Sequence, residues 1–170
     1  MQEFAPFWRV TEEAHDFAMV VSKPSDPTLR QKLAKFYLQL KYYPEVQSVP
    51  QTLKRAGKYT VICSNSSRGM LALTVENSSL GDSLHASLSV DDVGVSKADP
   101  RVYKMATDHF NCTQPEICFM SSNAWDAWAA SHFGFQVAWV NRFGQPPEHM
   151  PGGPAAEITT LEELPPLLGL

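Results

Sequence analysis

The stretch ICFMSSNAWDAWAASHFGFQVAWV, residues 117–140, decides the fold because it carries two strand patterns on either side of a helix pattern. Residues 117–120 form a short apolar run, typical of a buried strand, and residues 136–140 form another. Residues 124–133 between them predict a helix. Since two parallel strands need a crossover connection of this kind, the stretch predicts a parallel β-sheet covered by helices.

The same alternation extends upstream and downstream of this unit. Strands are also predicted at residues 59–63 and 85–90, with a short edge strand at 155–159, and helices at 50–55, 69–76 and 100–108. Strands that alternate with helices favour an α/β fold with a doubly wound sheet.

Residues up to 41 predict two helices instead. Thr11 offers a cap ahead of Glu12 and Glu13, and Asp26-Pro27 offers a second helix start. An apolar stripe at helical spacing follows that second start, at Leu29, Leu33, Phe36, Tyr37 and Leu40. A helical segment is therefore expected to precede the α/β segment.

Composition narrows the class of protein. The 170 residues suit one domain, and 44% of them are hydrophobic, which is enough for a core. A net charge of −4 without a basic stripe argues against nucleic acid as a partner. Apolar runs fall short of the roughly 20 residues of a membrane span. Cys63, Cys112 and Cys118 lack disulfide-framework or metal-ligand spacing, which predicts a reduced, cytoplasmic protein without a metal site.

Polar residues follow several predicted strands. Ser64 and Asn65 follow one, Ser121 and Asn123 follow another, and Lys97 lies in the loop after a third. The carboxyl ends of parallel strands meet at one edge of a sheet, where ligands bind. The Ser and Asn clusters have two interpretations: caps for the next helix, or a cradle for an anion.

Four segments together resemble the L-2-haloacid dehalogenases of the haloacid dehalogenase superfamily. They are CSNSSRGM at 63–70, LSVDDVGVSKADPRVY at 88–103, SSNAWDAWAASHFGFQVAWVNRFG at 121–144 and FWRVTEEAHDF at 7–17. Phosphatases of that superfamily carry paired acids where this chain has a single acid, Asp126. Mg²⁺ prefers such carboxylates, so a metal-free site without a cofactor is expected.

The resemblance implies a role for each polar residue of the site. Lys97 would stabilise a nucleophilic carboxylate, which displaces halide from C2 of a small 2-halo acid before water hydrolyses the ester. Tyr103, Ser121, Asn123 and Asp126 would orient that lysine, the nucleophile and the water.

The resemblance also implies how the substrate is held. Ser64 would bind the carboxylate of the substrate, and Asn65 would line the halide site. Phe7 and Trp125 would form the apolar wall of the pocket. Residues 1–43 would be part of a helical cap, and residues 44–170 a three-layer Rossmannoid core.

One departure from the family outweighs the others. The family's nucleophile is an Asp that ends the first, central strand in an Asp-x-Tyr-Gly-Thr context, and these 170 residues contain no such motif. Two hypotheses follow: a truncated dehalogenase that is inactive as this chain, or a non-catalytic protein of the same fold. In either case an incomplete sheet with unpaired strand edges is expected, and a homodimer is one way to cover them.

Overall fold

The computed structural model describes residues 4–78 and 80–170. Its helices are α1 (Phe7–Ser22), α2 (Leu29–Leu38), α3 (Ser48–Arg55), α4 (Arg68–Ser78), α5 (Pro100–Phe110), α6 (Ala124–Phe133) and α7 (Leu164–Leu167). Its strands are β1 (Val61–Ser64), β2 (Ala86–Ser89), β3 (Cys118–Ser121), β4 (Gln136–Val140) and β5 (Ala156–Ile158). None of the helices described is both long and apolar enough to cross a lipid bilayer.

The strands form two separate parallel sheets. β1 pairs with β2, Val61 opposite Ala86, and β3, β4 and β5 form the second sheet in that order, with Cys118 opposite Gln136. This confirms the expected α/β fold and its incomplete parallel sheet. Within the described residues β1 pairs only with β2 and β3 only with β4, so each leaves one edge without a strand partner.

The main core lies between the second sheet and helices α5 and α6. Trp139 of β4 is 1% exposed and meets Trp128 of α6 edge to face, with 5.4 Å between ring centroids. The small residues Ala127 and Ala130 are fully buried and let α6 approach the strands closely. Gly134 ends the helix at φ 110°, a conformation that side chains other than glycine rarely adopt. The packing therefore fixes α6, and with it the first turn that carries Asp126.

The start of α1 corrects the sequence prediction. Thr11 does not cap the helix, because α1 already begins at Phe7. Its buried hydroxyl instead donates to the carbonyl of Phe7 at 2.9 Å, as a threonine inside a helix commonly does. The second predicted start lies close to the true one: the Asp26 carboxylate accepts from the Thr28 backbone N–H at 2.8 Å, just before α2.

Candidate active site

A buried carboxylate with two donors forms the centre of the site. The Nζ of Lys97 lies 2.9 Å from Oδ2 of Asp126, and the hydroxyl of Tyr103 donates to Oδ1 of Asp126 at 2.8 Å. The side chains of Lys97 and Asp126 are only 9% and 4% exposed. A buried charge is costly unless it is paired and hydrogen-bonded. Each oxygen of Asp126 therefore has a donor that offsets its burial.

Three separate elements bring these side chains together. Asp126 lies in the first turn of α6, directly after β3, and Lys97 lies in the loop between β2 and α5. Tyr103 lies in α5, which begins with Asp99 as the cap, accepting from the Arg101 N–H at 3.0 Å, and Pro100 at the first helical position. Strand ends alone predicted Lys97 at the carboxyl edge, and the family resemblance added Asp126 and Tyr103. In the structure Asp126 contacts both of the others.

Lys97 is held through its backbone as well as its side chain. Its backbone N–H donates to Oδ1 of Asn65 at 2.9 Å, and its ammonium lies 4.8 Å from the ring centroid of Phe119. A cation over an aromatic face is attracted by the ring. Phe119 was not among the predicted site residues, although it lies two positions before Ser121 on β3, and that spacing points both side chains to the same face.

Burial and the neighbouring carboxylate set the protonation of Tyr103. Burial, followed by the charge and the hydrogen bond of Asp126, raises the pKa of Tyr103 well above its usual value. The phenol therefore stays protonated and remains a donor to Asp126. Burial also raises the pKa of the Cys63 thiol, while the charge of Lys97 lowers it in part.

Ser64 and Ser121, two of the other predicted residues, are the last residues of β1 and β3 and make local hydrogen bonds there. The hydroxyl of Ser64 accepts from the Ser66 N–H at 3.1 Å, and that of Ser121 accepts from the Asn123 N–H at 3.2 Å. Asn123 is the N-cap residue of α6 but makes no capping bond with its side chain.

Trp125 and Phe7, the predicted apolar wall, lie on two different helices. Trp125 lies on α6 next to Asp126 and is 40% exposed. Phe7 lies at the first position of α1. Among the described residues, the hydrogen bonds given above join Lys97 and Asp126 to Asn65, to Tyr103 and to each other, and none involves Phe7.

Helix α5 links the two sheets beneath the site. The Sγ of Cys63 on β1 donates to the carbonyl of Val102 at 3.6 Å, and the ring of Tyr103 lies 5.8 Å from that of Phe119 on β3. Adjacent residues of α5 therefore contact a strand of each sheet.

Tyr103→Phe tests the hydrogen bond to Asp126 without changing the ring packing against Phe119. We expect the free energy of unfolding to fall by about 1–3 kcal/mol, since a buried acceptor that bears a charge loses one donor. Urea denaturation at pH 7 measures this difference. A loss below about 0.5 kcal/mol, the range of ordinary surface substitutions, would contradict the buried bond.

Within the described residues, no three His, Cys, Asp or Glu side chains lie together as metal ligands would. That the reaction needs no metal stays a prediction, which activity in the presence of a chelator of divalent cations would test.

The comparisons with known proteins agree with this fold over most of the chain. A model of the haloacid dehalogenase-like hydrolases matches residues 4–134. The (S)-2-haloacid dehalogenase 4A of Burkholderia cepacia is 38% identical over 169 residues, which are 99% of this chain and 73% of that protein. The chain thus spans about three quarters of that relative's length.

Solved structures are similar as well. A dehalogenase in an intermediate complex matches with a TM-score of 0.92 and 38% identity, over 96% of this chain and 73% of that one. The L-2-haloacid dehalogenase of Xanthobacter autotrophicus, solved with chloropropionic acid covalently bound, has a TM-score of 0.88 and 29% identity, over 98% and 77% of the two chains. By sequence and by structure, this chain belongs to the L-2-haloacid dehalogenases of the haloacid dehalogenase-like hydrolases.

Proposed function

We propose that this site serves the hydrolytic removal of halide from a small 2-halo acid, in partnership with a carboxylate nucleophile beside Lys97. The observation that carries the proposal is the buried Lys97–Asp126 pair with Tyr103 as the second donor to Asp126. An ammonium held in this way provides a fixed positive charge for a second carboxylate, and an opposite charge within about 4–6 Å favours the ionised, nucleophilic form.

The reaction would proceed in two steps. The carboxylate attacks C2 of the substrate, a carbon–oxygen bond forms with inversion, and the halide leaves with the bonding electrons. Water then attacks the carbonyl carbon of the ester and breaks its acyl–oxygen bond, which releases the 2-hydroxy acid, one proton to solvent and the restored carboxylate. Asp126, Tyr103, Ser121 and Asn123 would orient Lys97, the nucleophile and the water.

The substrate assignment rests on the relatives. Those reported above are an (S)-2-haloacid dehalogenase and an L-2-haloacid dehalogenase with chloropropionic acid covalently bound. In this chain Ser64 and Asn65 would bind the carboxylate and the halide, and Trp125 with Phe7 of a partial helical cap, residues 1–43, would form the apolar wall.

The nucleophile would come from a strand that lies between β1 and β3. A helix is about 10–12 Å wide with its side chains, and neighbouring strands lie about 4.8 Å apart. If β1 and β3, which both contact α5, flank its width, they would stand about two strand spacings apart, with room for one parallel strand whose carboxyl end would reach Lys97. Asp91 and Asp92 are poor candidates for the nucleophile, because Asp91 accepts from the backbone N–H of Arg68 and Asp92 accepts from its guanidinium. We therefore expect the 170 residues alone to be inactive.

The test compares this chain with one extended at its N-terminus by a strand that ends in Asp, both incubated with (S)-2-chloropropionate. We expect chloride and (R)-lactate from the extended chain only, unchanged by a chelator of divalent cations. If the extended chain folds but releases no chloride, the alternative applies, a non-catalytic protein of this fold. Loss of activity with the chelator would instead contradict the metal-free mechanism.

A homodimer would cover apolar surface on the first helix. Phe17, Val20 and Val21 of α1 lie at helical spacing and are 72%, 71% and 65% exposed. Contiguous exposed apolar surface often marks an interface. Sedimentation equilibrium should then give twice the chain mass, and Phe17→Lys should shift the equilibrium toward the monomer.

A further inference from the structure

A second buried ion pair joins Arg142, just after β4, to Glu45. Glu45 lies in the segment between α2 and α3, which connects the helical pair α1–α2 to the rest of the chain. The Nη2 of Arg142 lies 2.6 Å from Oε1 of Glu45, and the two side chains are 13% and 6% exposed. The guanidinium also lies 3.9 Å from the ring centroid of Tyr43. Arg142 thus holds two residues of the segment between α2 and α3.

The surroundings of the pair tie this segment to β5 as well. The hydroxyl of Thr160 donates to Oε1 of Glu45 at 3.2 Å, and Nη1 of Arg142 donates to the carbonyl of Thr159 at 3.4 Å. Burial acts to raise the pKa of Glu45, but hydrogen bonds from backbone N–H groups and from Arg142 outweigh it, so the pKa lies below its usual value. Glu45 therefore remains ionised and paired at neutral pH.

The desolvation energy of this ion pair indicates that its role is to orient its neighbours rather than to add stability. Two buried charges lose their hydration, and a well-packed apolar pair of similar volume is often equally stable. The Nε of Arg142 is buried and has no hydrogen-bond partner among the described residues, which adds to that cost. A planar guanidinium, however, fixes a carboxylate and an aromatic ring in defined directions, which an apolar side chain does not.

The same strand end also leads to the active site. β4 pairs with β3, and the Nε1 of Trp139 on β4 donates to the carbonyl of Ser122, next to the polar residues that precede α6. A residue held at the end of β4 therefore has a fixed position relative to Ser121 and Asn123.

We propose that Arg142 is a positioning residue, which locks the Tyr43–Glu45 segment to the carboxyl edge of the sheet and so sets where α1 and α2 lie relative to the site. The lock is independent of the chemistry at Lys97. It applies to the chain with or without a nucleophilic strand.

Hydrogen exchange of the full chain tests this assignment in Arg142→Ala and Arg142→Lys. In Arg142→Ala we expect amides of residues 42–49 to exchange at least about tenfold faster, a change that corresponds to about 1.4 kcal/mol of local opening. Amides of β4 and β5 should change by less than about twofold, the scatter expected of sites outside the opening unit. Arg142→Lys should fall between, because it keeps the charge and loses the planar contact with Tyr43.

The pattern of exchange separates positioning from general support. If Arg142 only supported the sheet, β4 and β5 would open as much as residues 42–49, and the proposal would be overturned. Arg101→Ala, at an exposed pair with Asp99, is the matched control and should leave both regions unchanged. Should Arg142→Ala fail to fold, Glu45→Gln keeps an acceptor for Thr160 and decides the question: faster exchange confined to residues 42–49 supports the lock, and unchanged exchange there refutes it.

Discussion

An extended chain whose added strand ends in Asn rather than Asp should release chloride from (S)-2-chloropropionate about 10⁶-fold more slowly than its Asp counterpart. The physical reason is that the amide cannot form the ester intermediate as a carboxylate does, while Lys97, Asp126 and Tyr103 only support that step. Continuous chloride detection at pH 7, with both proteins at equal folded concentration, measures the ratio.

The matched control for this experiment is Asp92→Asn in the extended, active chain. Asp92 is an acid at the same edge of the sheet, but Arg68 binds it, so chloride release should change by less than about twofold, as expected of a group outside the reacting centre. If Asp92→Asn abolished activity while the added Asp did not matter, the nucleophile would lie after β2 and the space between β1 and β3 would have another purpose.

The second large effect concerns the stability of the chain itself. Asp126→Ala should lower the free energy of unfolding by about 3–5 kcal/mol, because it leaves the ammonium of Lys97 buried without a counter-charge. Adding Lys97→Met to the same chain should restore much of the loss, since the double variant contains neither charge. Urea denaturation of the wild type, both single variants and the double variant yields the coupling energy between the two residues.

An exposed ion pair provides the control for that cycle. Lys104 and Asp108 are paired on the surface of α5 with 60% and 62% of their side chains exposed, and Asp108→Ala should change the unfolding free energy by at most about 1 kcal/mol. If the effects of Asp126→Ala and Lys97→Met simply added, the two side chains would not interact in solution as they do in the structure.

Local patterns were sufficient to predict the central unit of the fold. The sequence prediction for residues 124–133 and 136–140 matches α6 and β4 residue for residue, because Gly134 separates a helix from a run of apolar residues. The predicted start of α1 was wrong by contrast. Thr11 has the side chain of a typical cap, but in the structure the helix has already begun at Phe7.

The site was predictable to the extent that strand ends determine it. Lys97 and Asn65 were placed at one edge because parallel strands bring their carboxyl ends together, and the structure joins them. Asp126, which also binds Lys97, was assigned to the site only through the family resemblance. The Glu45–Arg142 pair carried no such signal. Its partners lie far apart along the chain. Arg142 stands in the family-like segment 121–144, but nothing in that segment indicates Glu45 as its partner, so only the folded chain brings the two charges together.

The division of the strands into two sheets has a consequence for the order of folding. Each strand pairs only with the strand that precedes or follows it along the described chain, so each sheet can form across single crossover connections before the two sheets meet. Pairing across one crossover costs less loop entropy than pairing between more distant segments, and that entropy must be lost before contacts form. A strand that enters between β1 and β3 would have to join both sheets at once. Its arrival is therefore expected to be the late, rate-limiting event, and stopped-flow refolding of the extended chain should show a slow phase that the 170 residues lack.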